Sequence, residues 1–154
     1  MAEVFVDTSA WYPLIAATRA EHMVIRSALE EALRSGARLV TSNLVVAETH
    51  ALLLQRTSRD SALAFVQATA DPSTVVIYST EELEHIAVAE WLTRYRDQNF
   101  SLTDAVSFTV MKRRGITRAI TLDRHFAIVG FECVPAPAGA SSVVIPARKP
   151  RRRR

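Results

Sequence analysis

Apolar residues in this chain follow two patterns. Some form short runs without polar alternation, as in strands buried on both faces. Others recur at helical spacing on one side of a longer stretch. Val4-Phe5-Val6 is the first run, and Asp7 follows it at once. Thr8 or Ser9 is placed to cap a short helix to about Ala17, with Pro13 near its first turn. Thr18 and Glu21 have capping-box spacing for a helix from about Glu21 to Ser35. Its apolar face reads Ile25, Leu29, Ala32 and Leu33, and Gly36 ends it.

Arg38 to Thr41 is a second strand, and Asn43 is placed to cap a helix through Gln55. Ser58 opens another helix, with Leu63, Phe65 and Val66 as core positions. Asp71-Pro72 breaks it, and Thr74 to Tyr78 is a third strand. Ser79 and Glu82 read as a capping box for a helix to about Tyr95. A polar loop, Arg96 to Phe100, leads to a helix from Leu102 to Arg114, closed by Gly115. Arg118 to Leu122 is a strand with Asp123 directly after it, and Phe131 to Val134 is the last. Strands alternating with helices imply an α/β fold with a mainly parallel sheet.

Length and composition fit one globular domain: 154 residues, 49% hydrophobic and 23% charged. No apolar run is long enough to span a bilayer. The N-terminus lacks the basic flank and apolar core of a signal peptide. Cys133 stands alone in an apolar run, as a small buried hydrophobe, so no intrachain disulfide forms. These features place the protein in the cytoplasm. The net charge of +3 hides an asymmetry. Six of 19 basic residues lie in the last seven positions, so residues 1–147 carry 13 basic and 16 acidic groups. The body is mildly acidic. The tail reads as solvated, with the capacity to touch phosphates.

The chemistry lies in four acids. Asp7 and Asp123 share one grammar, an apolar strand and then a carboxylate. In an open parallel sheet that end of a strand faces the ligand crevice. Glu48 falls on the helical stripe of Val45 and Leu52, where a charge needs a partner such as Arg56 or Arg124, or a metal. Asp104 lies in the first turn of its helix, where the plain reading is a dipole or capping-box partner of Ser101. Grouped carboxylates repel, and protonation or a cation keeps them together. Oxygen ligands without cysteine or paired histidines favour Mg²⁺ or Mn²⁺, which suit phosphate oxygens and water activation.

Four stretches carry a resemblance: VFVDTSA, LVVAETHALL, FSLTDAVSFTVMKRRGI and AITLDRHFAIVGF. In this order they resemble PIN-domain ribonucleases, in particular VapC-type toxins of bacterial toxin–antitoxin pairs. The resemblance covers about residues 3–134, leaving 135–154 as a Pro/Ala-rich and Arg-rich tail. It implies a three-layer sandwich around a mainly parallel sheet of four to five strands. It also implies that Asp7, Asp104 and Asp123 hold one or two Mg²⁺ or Mn²⁺ ions, with Glu48 on a second ion or the attacking water. The implied reaction is RNA phosphodiester hydrolysis leaving a 5′-phosphate. The implied partners are RNA, a small antitoxin covering the groove, and a second copy of the chain.

Other residues receive plainer readings. Asp97 lies near Asp104 in sequence and either joins the acidic edge or, on the plainer reading, ends a helix in solvent, and His22, His50, His85 and His125 share no ligand spacing. Trp11, Tyr12 and Trp91 read as core or interface. Arg113, Arg114, Arg118 and Arg124 lie near the acids in sequence and are candidates to hold an RNA backbone. A haloacid-dehalogenase-like phosphatase needs a second acid where this chain has Ser9. A receiver domain needs a lysine on a late strand, and Lys112 and Lys149 are the only lysines. A non-catalytic PIN-fold binding module is the third alternative.

Overall fold

The computed structural model describes residues 1–139. Five strands form one parallel sheet: β1 (Glu3–Val6), β2 (Arg38–Ser42), β3 (Thr74–Ile77), β4 (Arg118–Ile120) and β5 (Glu132–Val134), in spatial order β3-β2-β1-β4-β5. Helices α1 (Thr8–Ile15) and α2 (His22–Arg34) join β1 to β2, and α3 (Asn43–Arg56) and α4 (Arg59–Ala68) join β2 to β3. The crossover from β3 to β4 holds α5 (Glu81–Ala87), a π-helical stretch Val88–Leu92, and α6 (Leu102–Arg114). The short α7 (His125–Ile128) joins β4 to β5. Right-handed crossovers put the first helix pairs on one face and the later helices on the other. β2 accordingly meets α2 and α3 as well as α6. This is the three-layer sandwich expected, with all five strands parallel.

The order of strands fixes where a crevice opens. From β1 the chain moves toward β2 and β3, while β4 and β5 lie on its other side. The ends of β1 and β4 therefore flank the switch point of the sheet, where ligands bind in folds of this class. Val6 is paired with Ile120, and the Asp7 N–H donates to the Ile120 carbonyl at 3.2 Å.

Several local expectations shift by one residue. Asp7, not Thr8 or Ser9, caps α1; Ser42, not Asn43, caps α3; Thr80, not Ser79, caps α5. In each case the capping residue still has extended backbone, and its oxygen meets the second or third helical N–H. Asn43 instead accepts the Ser79 N–H at 2.8 Å, and Ser79 donates its hydroxyl to Glu84. The box expected at Thr18 and Glu21 does not form, and α2 begins without a side-chain cap. β4 stops at Ile120, two residues early, because Thr121 and Asp123 are drawn into side-chain bonding.

The core expectations also need correction. Phe65, Ile25 and Leu29 are buried, but Leu33, Leu63 and Val66 are exposed, and Ala28 and Ala62 take the inward positions. Trp11, Trp91 and Cys133 are buried as expected. Tyr12 is half-buried beneath the Arg19 guanidinium. Residues 140–154, with the apolar Val143 to Ile145 and the basic cluster, lie outside the described residues. Among the described residues, no helix is long and apolar enough to cross a membrane.

At the far end of the sheet from the crevice, Glu3 is clamped by two arginines. Arg114 Nη2 reaches Glu3 Oε1 at 2.6 Å, and Arg38 Nη2 reaches the same oxygen at 2.9 Å. The Arg114 hydrogen bonds, then Arg38, hold the Glu3 carboxyl below its ordinary value against the opposing effect of burial. A lowered carboxyl contributes stability above its unfolded value and loses it as pH falls through the folded one. Glu3→Gln should therefore melt below the wild type at pH 7, by about 1 kcal/mol. Thermal melts should show the gap closing below about pH 4.5, the ordinary glutamate value.

Candidate metal centre

Asp7 leaves the end of β1 and caps α1 with the same side chain. Its Oδ2 accepts the Ser9 N–H at 3.2 Å and the Ser9 hydroxyl at 2.8 Å. Thr121, at the end of β4, donates to the same oxygen at 3.3 Å. Ser9 Oγ and Thr121 Oγ1 are 3.1 Å apart. The relay then reaches the next loop: the Leu122 N–H donates to Ser9 Oγ at 2.8 Å, and the Asp123 N–H donates to Thr121 Oγ1 at 3.0 Å. Two hydroxyls thus tie the end of β1 to the turn that carries Asp123.

Asp7 is only 5% exposed. Burial pushes its carboxyl up to about 6, the Ser9 bonds oppose this, and the Asp104 charge adds to it. An acid raised this far has too little positive charge around it for its ionised form.

Asp104 sits in the first turn of α6 and makes the capping box with Ser101. Ser101 Oγ accepts the Asp104 N–H at 3.0 Å, and Asp104 Oδ2 accepts the Ser101 N–H at 3.0 Å. The plain reading of Asp104 is therefore correct, and it accounts for one oxygen. Its other oxygen, Oδ1, has no hydrogen-bond donor among the described residues.

Glu48 does not lie on the buried face of α3, which is Val45, Thr49 and Leu53. Its side chain points instead toward the crevice. Desolvation raises its carboxyl, a Thr103 hydrogen bond opposes that, and the charges of Asp104 and Asp123 add to it. Neither Arg56 nor Arg124 pairs with it among the described residues. The four acids therefore gather at one rim of the sheet, coupled as like charges.

His125 is the member the sequence reading left out. Its ring Nδ1 lies 3.1 Å from Asp104 Oδ2 and 3.4 Å from Asp123 Oδ2. Asp104, Asp123 and His125 offer ligand atoms within 4.8 Å of one another. The available signal was its position two residues beyond Asp123; its contact with Asp104 across 21 residues left no mark in the sequence. His22, by contrast, meets only the Pro13 carbonyl.

The basic candidates divide. Arg113, Arg114 and Arg118 are paired with Glu82, Glu3 and Glu132. The two on α6 stand at its C-terminus, about 14 Å along the helix from Asp104, and Arg118 opens β4 at the far rim. They are not near the acids, contrary to the sequence reading. Only Arg124, between Asp123 and His125, stays close. Asp97 is held by its neighbour Gln98 in the preceding loop, apart from the cluster.

The donor set fits a hard divalent cation: carboxylate oxygens predominate, and two of the acids, Asp7 and Glu48, are raised as they would be without a counter-charge.

Comparison with known proteins identifies the family and the fold. The PIN-domain family model matches residues 4–132. The 23S rRNA-specific endonuclease VapC20 of Mycobacterium tuberculosis is 34% identical over 128 residues, covering 83% of this chain and 95% of the relative. Ribonuclease VapC26 of the same organism is 29% identical over 126 residues, covering 80% and 90%. The crystal structure of VapC20, described as a sarcin-ricin loop cleaving toxin, superposes with a TM-score of 0.74 over 83% of this chain and 95% of that one. VapBC2 from Rickettsia felis, bound to a promoter DNA fragment, shares the fold at a TM-score of 0.66 and 10% identity, over 85% of this chain and 96% of that one. An acid-lined switch point on a five-stranded parallel sheet, matched along nearly its whole length, places this chain in the PIN-domain family, among its VapC-type members.

Proposed function

We propose that the protein is a metal-dependent endoribonuclease, the toxin half of a toxin–antitoxin pair. The observation that carries this reading is the meeting of Asp104 and Asp123 at the rim, with their ligand atoms within 4.8 Å of each other, and the coupling of Asp7 to Asp104 and of Glu48 to both. Asp7, Asp104 and Asp123 would hold Mg²⁺ or Mn²⁺, and Glu48 would hold a second ion or orient the attacking water. When bound, the cation lowers the pKa of water and stabilises charge developing at phosphorus.

The chain's own residues do the rest. Ser9 and Thr121 fix the Asp7 carboxylate by its Oδ2 and so set which oxygen faces the crevice. Ser101 does the same for Asp104. Arg124, beside Asp123 and without an acidic partner among the described residues, is placed to meet an RNA phosphate. The relative of 34% identity is named for 23S rRNA, and ribosomal RNA is the substrate class this reading favours.

A small antitoxin, a second copy of the chain and a cytoplasmic setting belong to the same proposal. Met23, Val24 and Leu33 on α2, and Leu54, Leu63 and Val66 on α3 and α4, are exposed apolar residues. They support a docking surface for an amphipathic antitoxin segment.

Purified protein with Mn²⁺ should cut ribosomal RNA and leave 5′-phosphate ends. Asp7→Asn and Asp104→Asn should each lower the rate on the order of 100-fold or more, read by gel and end-labelling. Equal cleavage by all three proteins would place the activity elsewhere.

Asp7 also gives a stability test. A carboxyl raised from 3.8 to about 6 on folding costs stability as pH rises through that window. In EDTA, Asp7→Asn should therefore be more stable than the wild type at pH 8, by roughly 2–3 kcal/mol. The advantage should vanish near pH 4. Adding Mn²⁺ at pH 8 should raise the melting temperature of the wild type and leave Asp7→Asn nearly unmoved.

A further inference from the structure

Of the four histidines, His125 has its ring on the acidic rim. Its backbone N–H donates to Asp123 Oδ1 at 2.9 Å, which folds the start of α7 onto that carboxylate. Its ring Nδ1 stands between Asp104 Oδ2 and Asp123 Oδ2. Ionised carboxylates only accept hydrogen bonds, so the ring carries its proton on Nδ1.

The ring is also held from behind. It meets Phe100 edge-on, with centroids 5.0 Å apart and planes at 74°. Phe100 packs on Phe108 at 5.2 Å, and Phe108 packs on Phe126 at 5.0 Å. Phe108 and Phe126 are fully buried. A column of aromatic rings therefore runs from the core to the imidazole and fixes its direction. The Asp104 oxygen it reaches is the one already used in the capping box, so Oδ1 stays open.

We propose that His125 is a positioning residue for the cation site. Its Nδ1–H holds the Asp104 carboxylate beside Asp123, whose own carboxylate takes the His125 backbone N–H, so that a divalent ion meets a pair already placed. Without that donor the two like charges turn apart, and the ion must gather them before it binds. The inference rests on the reading of this rim as a metal site.

The test measures Mn²⁺ binding to the full chain, without RNA, from the spin-resonance signal of free Mn²⁺. Thermal melts in EDTA accompany it. His125→Phe keeps a ring against Phe100 and removes the donor. His125→Asn places an amide N–H close to the Nδ1 position. His125→Gln carries its amide one bond farther out and serves as the misplaced donor if the phenylalanine variant does not fold. Asp104→Asn reports loss of the site itself.

His125→Phe or His125→Gln should weaken Mn²⁺ binding about 10- to 100-fold. His125→Asn should recover most of that loss, with its melting temperature near that of the wild type. Wild-type affinity in His125→Phe, or in His125→Gln where that stands in, overturns the proposal. So does an asparagine variant as weak as the phenylalanine one. If Asp104→Asn binds Mn²⁺ as the wild type does, the metal-site reading fails and this inference fails with it. If Asp104→Asn loses the ion and His125→Phe keeps it, only the role of His125 is lost.

Discussion

Repulsion between carboxylates is the constraint around which this molecule is arranged. Asp7 and Glu48 are raised, and in each case a neighbouring acid contributes. A fold left to relax would separate these groups. Here three of the four acids are tied into local structure that would be lost if they moved. Asp7 is the cap of α1, Asp104 is half of the capping box of α6, and Asp123 accepts the N–H that starts α7. The acids are held by the hydrogen bonds that begin three helices. Helix N-termini also suit negative charge, which offsets part of the cost.

The two ends of β1 show how environment alone decides the use of an acid. Glu3 and Asp7 stand four residues apart in the sequence, one before the strand core and one after it. Glu3 is met by Arg38 and Arg114 and held below its ordinary value. Asp7 is met by hydroxyls and another acid and held above it. The first arrangement closes a rim of the sheet as structure. The second leaves a demand for positive charge that only a ligand satisfies. Arg114 and Arg118 serve the closed side, and Arg113 is taken up by Glu82 on α5.

Most of the architecture was legible in the chain, because buried parallel strands and capped helices leave strong local marks. The run of α6 from Leu102 to Arg114 and its Gly115 end were readable to the residue, Gly115 having the left-handed backbone that closes the helix. Caps at Asp7, Ser42 and Thr80 were misplaced by one position, since neighbouring residues offered equivalent oxygens. Leu33, Leu63 and Val66 were misread as core because helical spacing reports a stripe and not its width. Asp7 and Asp123 could be singled out from their place at strand ends, whereas Glu48 was singled out from an apolar stripe on which it does not lie. Ser9 was readable as a partner of Asp7, two residues away, but Thr121 and the contacts of His125 were not, since they join distant segments, Ser9 with Thr121 and His125 with Asp104. A short helix such as α7 leaves no periodicity to find.

The pairing of β1 with β4 has a consequence for when the protein becomes competent. β1 spans Glu3–Val6, yet its partner on one side lies beyond residue 117, and Thr121 must arrive before the Asp7 relay closes. Such long-range parallel pairing forms late relative to the local hairpins of helices around it. Residues 3–77 hold every strand of the β1–β2–β3 half, but only Asp7 and Glu48 of the four acids. The acidic rim is thereby completed only when the segment from α6 to β4 has folded onto the rest of the sheet.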